Sequence, residues 1–216
     1  MSKQLPQSVG FATLAAAVLM AFVVVSPASS AQFKSSSSPV MLFGVEYGNH
    51  VFTVEGLEVN CWEGRFEKFE LALPANTISG VTAQYNNCEA FTFPGATVNM
   101  GNCTYEFQEP NAALEGNIAV RCSGAAPISI KGAFFGGECK VTIGETGNTE
   151  LAKISYANNT PTEGRVLATA AVTGIAVNKV TDNGFCPLKG LGISSSGEYE
   201  GPTPVEATAG IGISVG

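Results

Sequence analysis

Two short runs that face each other across residues 108–117 constrain the fold of this chain more than any other feature. Cys103, Tyr105 and Phe107 alternate with Thr104 and Glu106, and Ile118, Val120 and Cys122 alternate with Ala119 and Arg121. A period of two is the mark of a strand with one buried face. Folding the segment back on itself sets Phe107 opposite Ile118, Tyr105 opposite Val120 and Cys103 opposite Cys122. A slip of one residue would turn every apolar side chain of one run to the wrong face. Both sulfurs then point into the same apolar layer, and directly opposed cysteines reach disulfide geometry when they form a non-hydrogen-bonded pair. The pattern predicts a Cys103–Cys122 bridge; the alternative is that both sulfurs face a core and pair elsewhere.

The same period recurs along the chain. Phe52 and Val54 alternate with polar neighbours, as do Leu57, Val59 and Cys61, with Glu55 and Gly56 between the two runs as a turn. Pairing Val54 with Leu57 also pairs Phe52 with Val59, so every apolar residue of the hairpin shares one face. Ile128 and Ile130, then Cys139, Val141 and Ile143, read as further strands. Residues 165–180 are a long apolar run broken by Gly174, which its β-branched content assigns to two strands or one bulged strand. Asp182, Asn183 and Gly184 read as a turn. Over residues 205–216 six apolar positions alternate with polar residues or glycine, which predicts one strand docked in a sheet to its end. Helix signals are poor, because 25 Gly and 11 Pro interrupt the chain. Only residues 63–73 have helical potential, with Phe66, Phe69 and Leu73 on one face. Gly64 weakens it and Pro74 stops it, leaving a bent strand or a short helix. The expected fold is all-β, an antiparallel sandwich or partly open barrel.

The start of the chain reads as an export signal. Lys3 precedes an apolar run over residues 11–25, followed by Pro27 and the small residues Ser29, Ser30 and Ala31. This is the n-region, h-region and cleavage-site pattern of a secretory signal peptide. The run falls short of the roughly 20 residues of a bilayer span, so no membrane span is expected after cleavage. The expected organisation is a signal peptide at 1–31, a flexible Ser-rich leader at 32–40 and a single all-β domain at 41–216. The expected location is secreted, extracellular or associated with the cell surface. All six cysteines, Cys61, Cys88, Cys103, Cys122, Cys139 and Cys186, follow the signal. An even number in an exported chain reads as a disulfide framework, and the absence of CxxC spacing weakens any zinc or redox reading. With Cys103–Cys122 set aside, sequence order leaves Cys61–Cys88 and Cys139–Cys186.

Composition narrows the chemistry. A net charge of −7 and a pI near 4.7 exclude a basic nucleic-acid footprint. The chain has one histidine, His50, and one aspartate, Asp182. No GxSxG elbow accompanies His50, so a serine-hydrolase triad is unsupported and His50 reads as a packing or strand-edge residue. No metal site is expected, since a single aspartate leaves no calcium-loop run, and no cofactor is expected. Glu63, Glu67 and Glu70 cluster, and Glu198 and Glu200 share a strand face on either side of Tyr199. Either set could supply a glycosidase pair, although a solvated acidic face is the plainer reading. Trp62, the only tryptophan, follows Cys61 and so points away from the sulfur's face. It is either buried under a second layer or exposed beside Tyr47 or Phe66, where it would stack on a sugar or a partner. Asn158 and Asn102 sit in N-x-[ST] patterns, which matter only in a eukaryotic secretory route.

The strings HVFTVEGLEVNC, TAQYNNCEAFTFPGATVNMGNCTYEF, ECKVTIG, VTGIAVNKV and GFCPL, spread over about residues 45–200, together resemble an uncharacterised family. Its members are exported, cysteine-containing all-β proteins of high-GC Gram-positive bacteria. The resemblance implies a secreted bacterial β protein and transfers no catalytic residue. The expectation is a structural or binding protein outside the cell, with no catalytic residues and no enzymatic activity. Its expected partner is a cell-envelope glycan or another surface protein. The alternative is a secreted polysaccharide hydrolase using a glutamate pair.

Overall fold

A computed structural model describes residues 31–46, 49–90, 93–108, 110–111, 113–124, 126–134, 137–143, 148–181, 186, 188, 190, 192–208 and 211–216. Of the expected signal peptide only Ala31 is among them, and Tyr47 and the Asp182–Gly184 turn lie outside. The described residues form fourteen strands and no helix. In chain order these are β1 (Phe33–Ser35), β2 (Val40–Glu46), β3 (His50–Val54), β4 (Leu57–Leu71), β5 (Thr77–Ala90), β6 (Phe93–Asn99) and β7 (Cys103–Gln108). They continue with β8 (Glu115–Cys122), β9 (Ile128–Phe134), β10 (Gly137–Ile143), β11 (Asn148–Asn158), β12 (Val166–Thr181), β13 (Gly192–Ala207) and β14 (Ile213–Val215).

The large antiparallel sheet closes on itself twice. One ring runs β4, β5, β7, β8, β11, β12, β13, β2 and back to β4. The other runs β4, β5, β6, β9, β10, β12, β13, β3 and back to β4. Each ring has eight strands, and the two share the long strands β4, β5, β12 and β13. Those four traverse the whole molecule, so the rings stack end to end as one continuous barrel. Closure leaves neither ring with a free strand edge.

Where a long strand passes from one ring to the other, its inward alternation is reset. In β4 both Cys61 and Gly64 are buried, with two residues between them instead of one. In β5 Tyr85 and Cys88 are related in the same way. In β12 the pairing with β13 shifts between Val172 and Ile175, and Gly174 takes a φ of 75° there. That left-handed conformation is natural to glycine and explains why the apolar run is one bulged strand.

The hairpin registers follow the sequence parity. Val54 pairs with Leu57 and Phe52 with Val59. Phe107 pairs with Ile118, Tyr105 with Val120 and Cys103 with Cys122. Disulfides join Cys61 to Cys88, Cys103 to Cys122 and Cys139 to Cys186. The first two link directly opposed residues with Cα atoms 4.0 and 3.9 Å apart, the narrow spacing of non-hydrogen-bonded pairs. Three disulfides belong to an oxidising environment. Residues 63–73 are strand as far as Leu71, because alternation toward the barrel interior overrides the weak helical spacing.

Two expectations are corrected. The 32–40 segment is not a flexible leader. Phe33 is buried, β1 pairs with β14, and Val40 already belongs to the barrel. The apolar side chains at 31, 33 and 40 find a core that the serines between them hide in the sequence. The alternating tail is not one strand either. β13 ends at Ala207, and Ile213 to Val215 form β14 in a separate two-stranded sheet with β1. Alternation persists across the break because both pieces bury the same parity of side chain.

The Cys103–Cys122 loop is the shortest of the three, with a separation of 19 residues. Replacing both cysteines with serine should lower unfolding stability by about 3 kcal/mol on the chain-entropy model. Urea denaturation against the intact protein measures this.

Candidate functional site

The barrel interior changes character along its axis. At the junction of the rings lies a buried polar-aromatic layer. His50 begins β3 and is fully buried, with its Nδ1 3.0 Å from the Tyr199 hydroxyl. Tyr85 donates to the Tyr199 hydroxyl at 3.4 Å, and the hydroxyls of Tyr85 and Tyr105 lie 3.0 Å apart. The rings of Phe52 and Phe66 pack around Tyr85 edge-on. If Tyr199 donates to Nδ1, the proton of neutral His50 sits on Nε2, and that atom meets no partner among the described residues. The imidazole occupies its site because two glycines make room for it. A Cβ on Gly64 would lie 2.3 Å from Nε2, and one on Gly201 would lie 2.4 Å from Nδ1. Burial pulls the His50 pKa down to about 4 and pushes the Tyr105 hydroxyl up to about 12. Tyr85 and Tyr199 move up as well, so the whole layer is neutral at physiological pH.

Beyond this layer, in the ring that contains β2, β7, β8 and β11, the interior is not filled. A cavity of about 80 Å³ remains, walled by Ile118, Ile154, Val166, Ala168 and Tyr105 among others. Eight-stranded barrels are the size class whose interior is either just filled by side chains or holds one small ligand. The strap of β1 and β14 covers its outer end, inserting Phe33, Ile213 and Val215. Hydrogen bonds tie the strap to its surroundings at several points: Ile213 N–H donates to the Gly164 carbonyl at 3.0 Å, and the Gln32 side chain donates to Asn76 Oδ1 at 2.7 Å. Phe33 and Ala75 exchange backbone hydrogen bonds, and the Asn158 side chain binds both the N–H and the C=O of Val215 at 2.8 and 2.7 Å. Tyr156 packs edge-on against Phe33 at the cavity wall, and its buried hydroxyl meets no partner among the described residues. The exposed Lys34 and the half-buried Glu67 and Lys68 also line this cavity.

The other ring is better packed. Its cavity is about 30 Å³ and is bounded by Phe52, Val141 and Leu188. Lys179 reaches the Glu55 carboxylate at 2.7 Å near the turn between β3 and β4, and the Cys139–Cys186 bridge pins the segment before Leu188.

The residues singled out from the sequence are distributed differently. His50 is a packing residue at the centre of the barrel. Trp62 is about 50% exposed on the outer wall, so burial under a second layer does not occur. Phe66 points into the barrel and cannot stand beside it. Glu198 and Glu200 are exposed on the outer wall, with Tyr199 between them turned inward. Glu63 pairs with Arg65 at 2.6 Å, while Glu67 and Glu70 lie further along β4. None of the six cysteines is free. Among the described residues no cluster of His, Cys, Asp and Glu could hold a metal ion. Sequence reading missed the cavity, the tyrosine layer and Tyr156. The alternation of Ile154, Tyr156 and Asn158 was the available signal for the last.

No protein-family model, no curated protein and no solved structure matches the chain.

His50 gives the stability a definite pH dependence. The unfolded chain takes up its proton near pH 6.5, whereas the folded chain resists until about pH 4. Stability is therefore full above pH 6.5 and falls as the pH drops through that window, by roughly 2 kcal/mol at pH 5. Because His50 is the only histidine, ring NMR signals should stay those of the neutral form at pH 5. Urea midpoints of the wild type, but not of His50→Gln, should fall between pH 6.5 and 5. Gly64→Ala, which drives a methyl into the ring, should cost about 1–3 kcal/mol at pH 7 in the same assay.

Proposed function

We propose that this protein is a binding module of an extracellular or cell-surface compartment, without catalytic activity, and that its binding element is the barrel interior beneath the strap. The observation that carries this reading is the unfilled, almost wholly apolar cavity in one ring, beside a second ring of the same strand number that is nearly filled. A closed barrel built only for rigidity gains from filling its core, since each unfilled volume forfeits packing energy. The three disulfides support a working place outside the reducing cytoplasm.

One observation favours a second reading, that of a surface module for an envelope glycan. Trp62 offers an exposed indole on the outer wall of β4, suited to stacking on a sugar ring.

The two readings separate in one experiment, because the sole tryptophan reports on the outside and cannot report on the cavity. A panel of small apolar probes should shift methyl NMR signals of Ile118, Ile154 and Val166 while Trp62 emission stays constant. Purified cell-wall glycan should leave both unchanged. A response of Trp62 to glycan, with silent interior methyls throughout the probe panel, would make the surface reading the right one.

A further inference from the structure

One lysine departs from the apolar pattern of the barrel interior. Residues directly paired across an antiparallel ladder share a face of the sheet. Between β2 and β4, Gly44 pairs with Phe66, Leu42 with Lys68 and Val40 with Leu71. Five of these six residues are buried, and the sixth, Lys68, is half-buried. Its side chain therefore starts from an inward position, and it lines the cavity of about 80 Å³ together with Leu42 and Val81. Its ammonium ends beside Gly80 of β5, where a Cβ would lie 3.2 Å from Nζ. Gly80 takes a φ of 70° at the irregularity between Ile78 and Val81, and its bare backbone leaves room for the head group. Lys68 enters no salt bridge among the described residues.

The other charged residues described in the lining are placed differently. Glu67 pairs with Phe43 and Thr82, so it has the opposite parity. Lys34 is exposed and alternates with the buried Phe33 along the strap. The charge that these three present from an inward position of the barrel wall is a single positive one.

Resting on the reading of the interior as the binding element, we propose that the cavity takes the tail of a short single-tailed organic anion, a straight-chain carboxylate being the simplest, and that the Lys68 ammonium holds its head group at the cavity's edge.

Size and charge both enter. An engineered apolar cavity that admits the six carbons of benzene is about 150 Å³. By proportion, one of about 80 Å³ admits roughly three carbons without movement of its walls. A five-carbon acid sets that many in the apolar space and leaves its remaining methylene beside the lysine stem, with the carboxylate at the ammonium. A lysine can also cover apolar surface with its stem while its head stays in water. A lysine serving only that purpose is indifferent to the head group of a ligand. One that holds an anion is not, because an ammonium attracts a carboxylate and repels a second ammonium.

The test uses pentanoate, pentan-1-ol and pentan-1-amine, which differ only in the head, on the disulfide-intact protein at neutral pH. Binding is followed by methyl NMR of Leu42, the register partner of Lys68, and of Ile118 and Ile154 on the cavity wall. Pentanoate should bind roughly three- to fivefold more tightly than pentan-1-ol, and the amine more weakly than either. High salt should shrink the spread. Lys68→Met, which keeps the apolar stem, should bring pentanoate down to the level of the alcohol and leave the alcohol unchanged. Lys68→Glu should reverse the order and favour the amine. Lys34→Met should retain the preference for the acid. Equal affinities for acid and alcohol in the wild type, a preference that survives Lys68→Met, or one lost in Lys34→Met would overturn Lys68 as the anchor while leaving interior binding intact. A response of Leu42 with Ile118 and Ile154 silent would overturn the seat of the tail. Absence of binding by all three probes would overturn this inference, whereas failure of interior binding itself would require silence from the whole apolar panel.

Discussion

Four strands in this protein are longer than one barrel ring requires, and the interior depends on how their side-chain alternation survives that length. Along a regular barrel strand the inward parity is constant, and only an inserted residue changes it. β4, β5 and β12 each insert extra residues near the junction, and the two rings then both bury their apolar sides. The Cys61–Cys88 bridge lies beside the insertions in β4 and β5 and pins their register covalently. His50 enters the barrel opposite Cys61, and the tyrosine layer collects in the same plane. On one side of that plane the interior is nearly filled, and on the other a cavity of about 80 Å³ lies beneath the β1–β14 strap.

On the outer wall the rings are braced by charge. Glu106 accepts hydrogen bonds from Gln108, Arg121 and Ser79, which hold the pKa of its carboxyl down to about 2. Arg121 also reaches Glu150, so one guanidinium ties β7, β8 and β11. Arg165, the residue before β12, pairs with Glu206 on β13. These exposed pairs each add little stability in water. Their value lies in alignment, since they span neighbouring strands whose inner residues form the cavity wall.

The hairpins were legible from the sequence because their parity is local and unbroken. Phe52 with Val59 and Tyr105 with Val120 need no information beyond a period of two and a turn. The closure into rings was not legible, because it rests on pairs such as β10 with β12 and β13 with β3 that no local signal announces. The bulges hid β5 and β11, where the alternation changes phase inside the strand. Trp62 was placed on the correct side of its strand by parity, but whether that side met water depended on a closed barrel having no second layer outside it. Tyr156 was missed because a tyrosine in alternation looks like any other core residue until its hydroxyl is seen to lack a hydrogen-bond partner among the described residues.

The strap joins residues that are far apart in time as well as in sequence. Phe33 pairs with Val215, and Gln32 exchanges backbone hydrogen bonds with Gly216. A ribosome delivers the first of these residues long before the second, so the cover over the cavity cannot form until synthesis of this whole stretch is complete. Pairings of such long range also make folding slow, on a scale of roughly milliseconds to seconds. The outer end of the barrel is covered only when the two ends of this stretch meet.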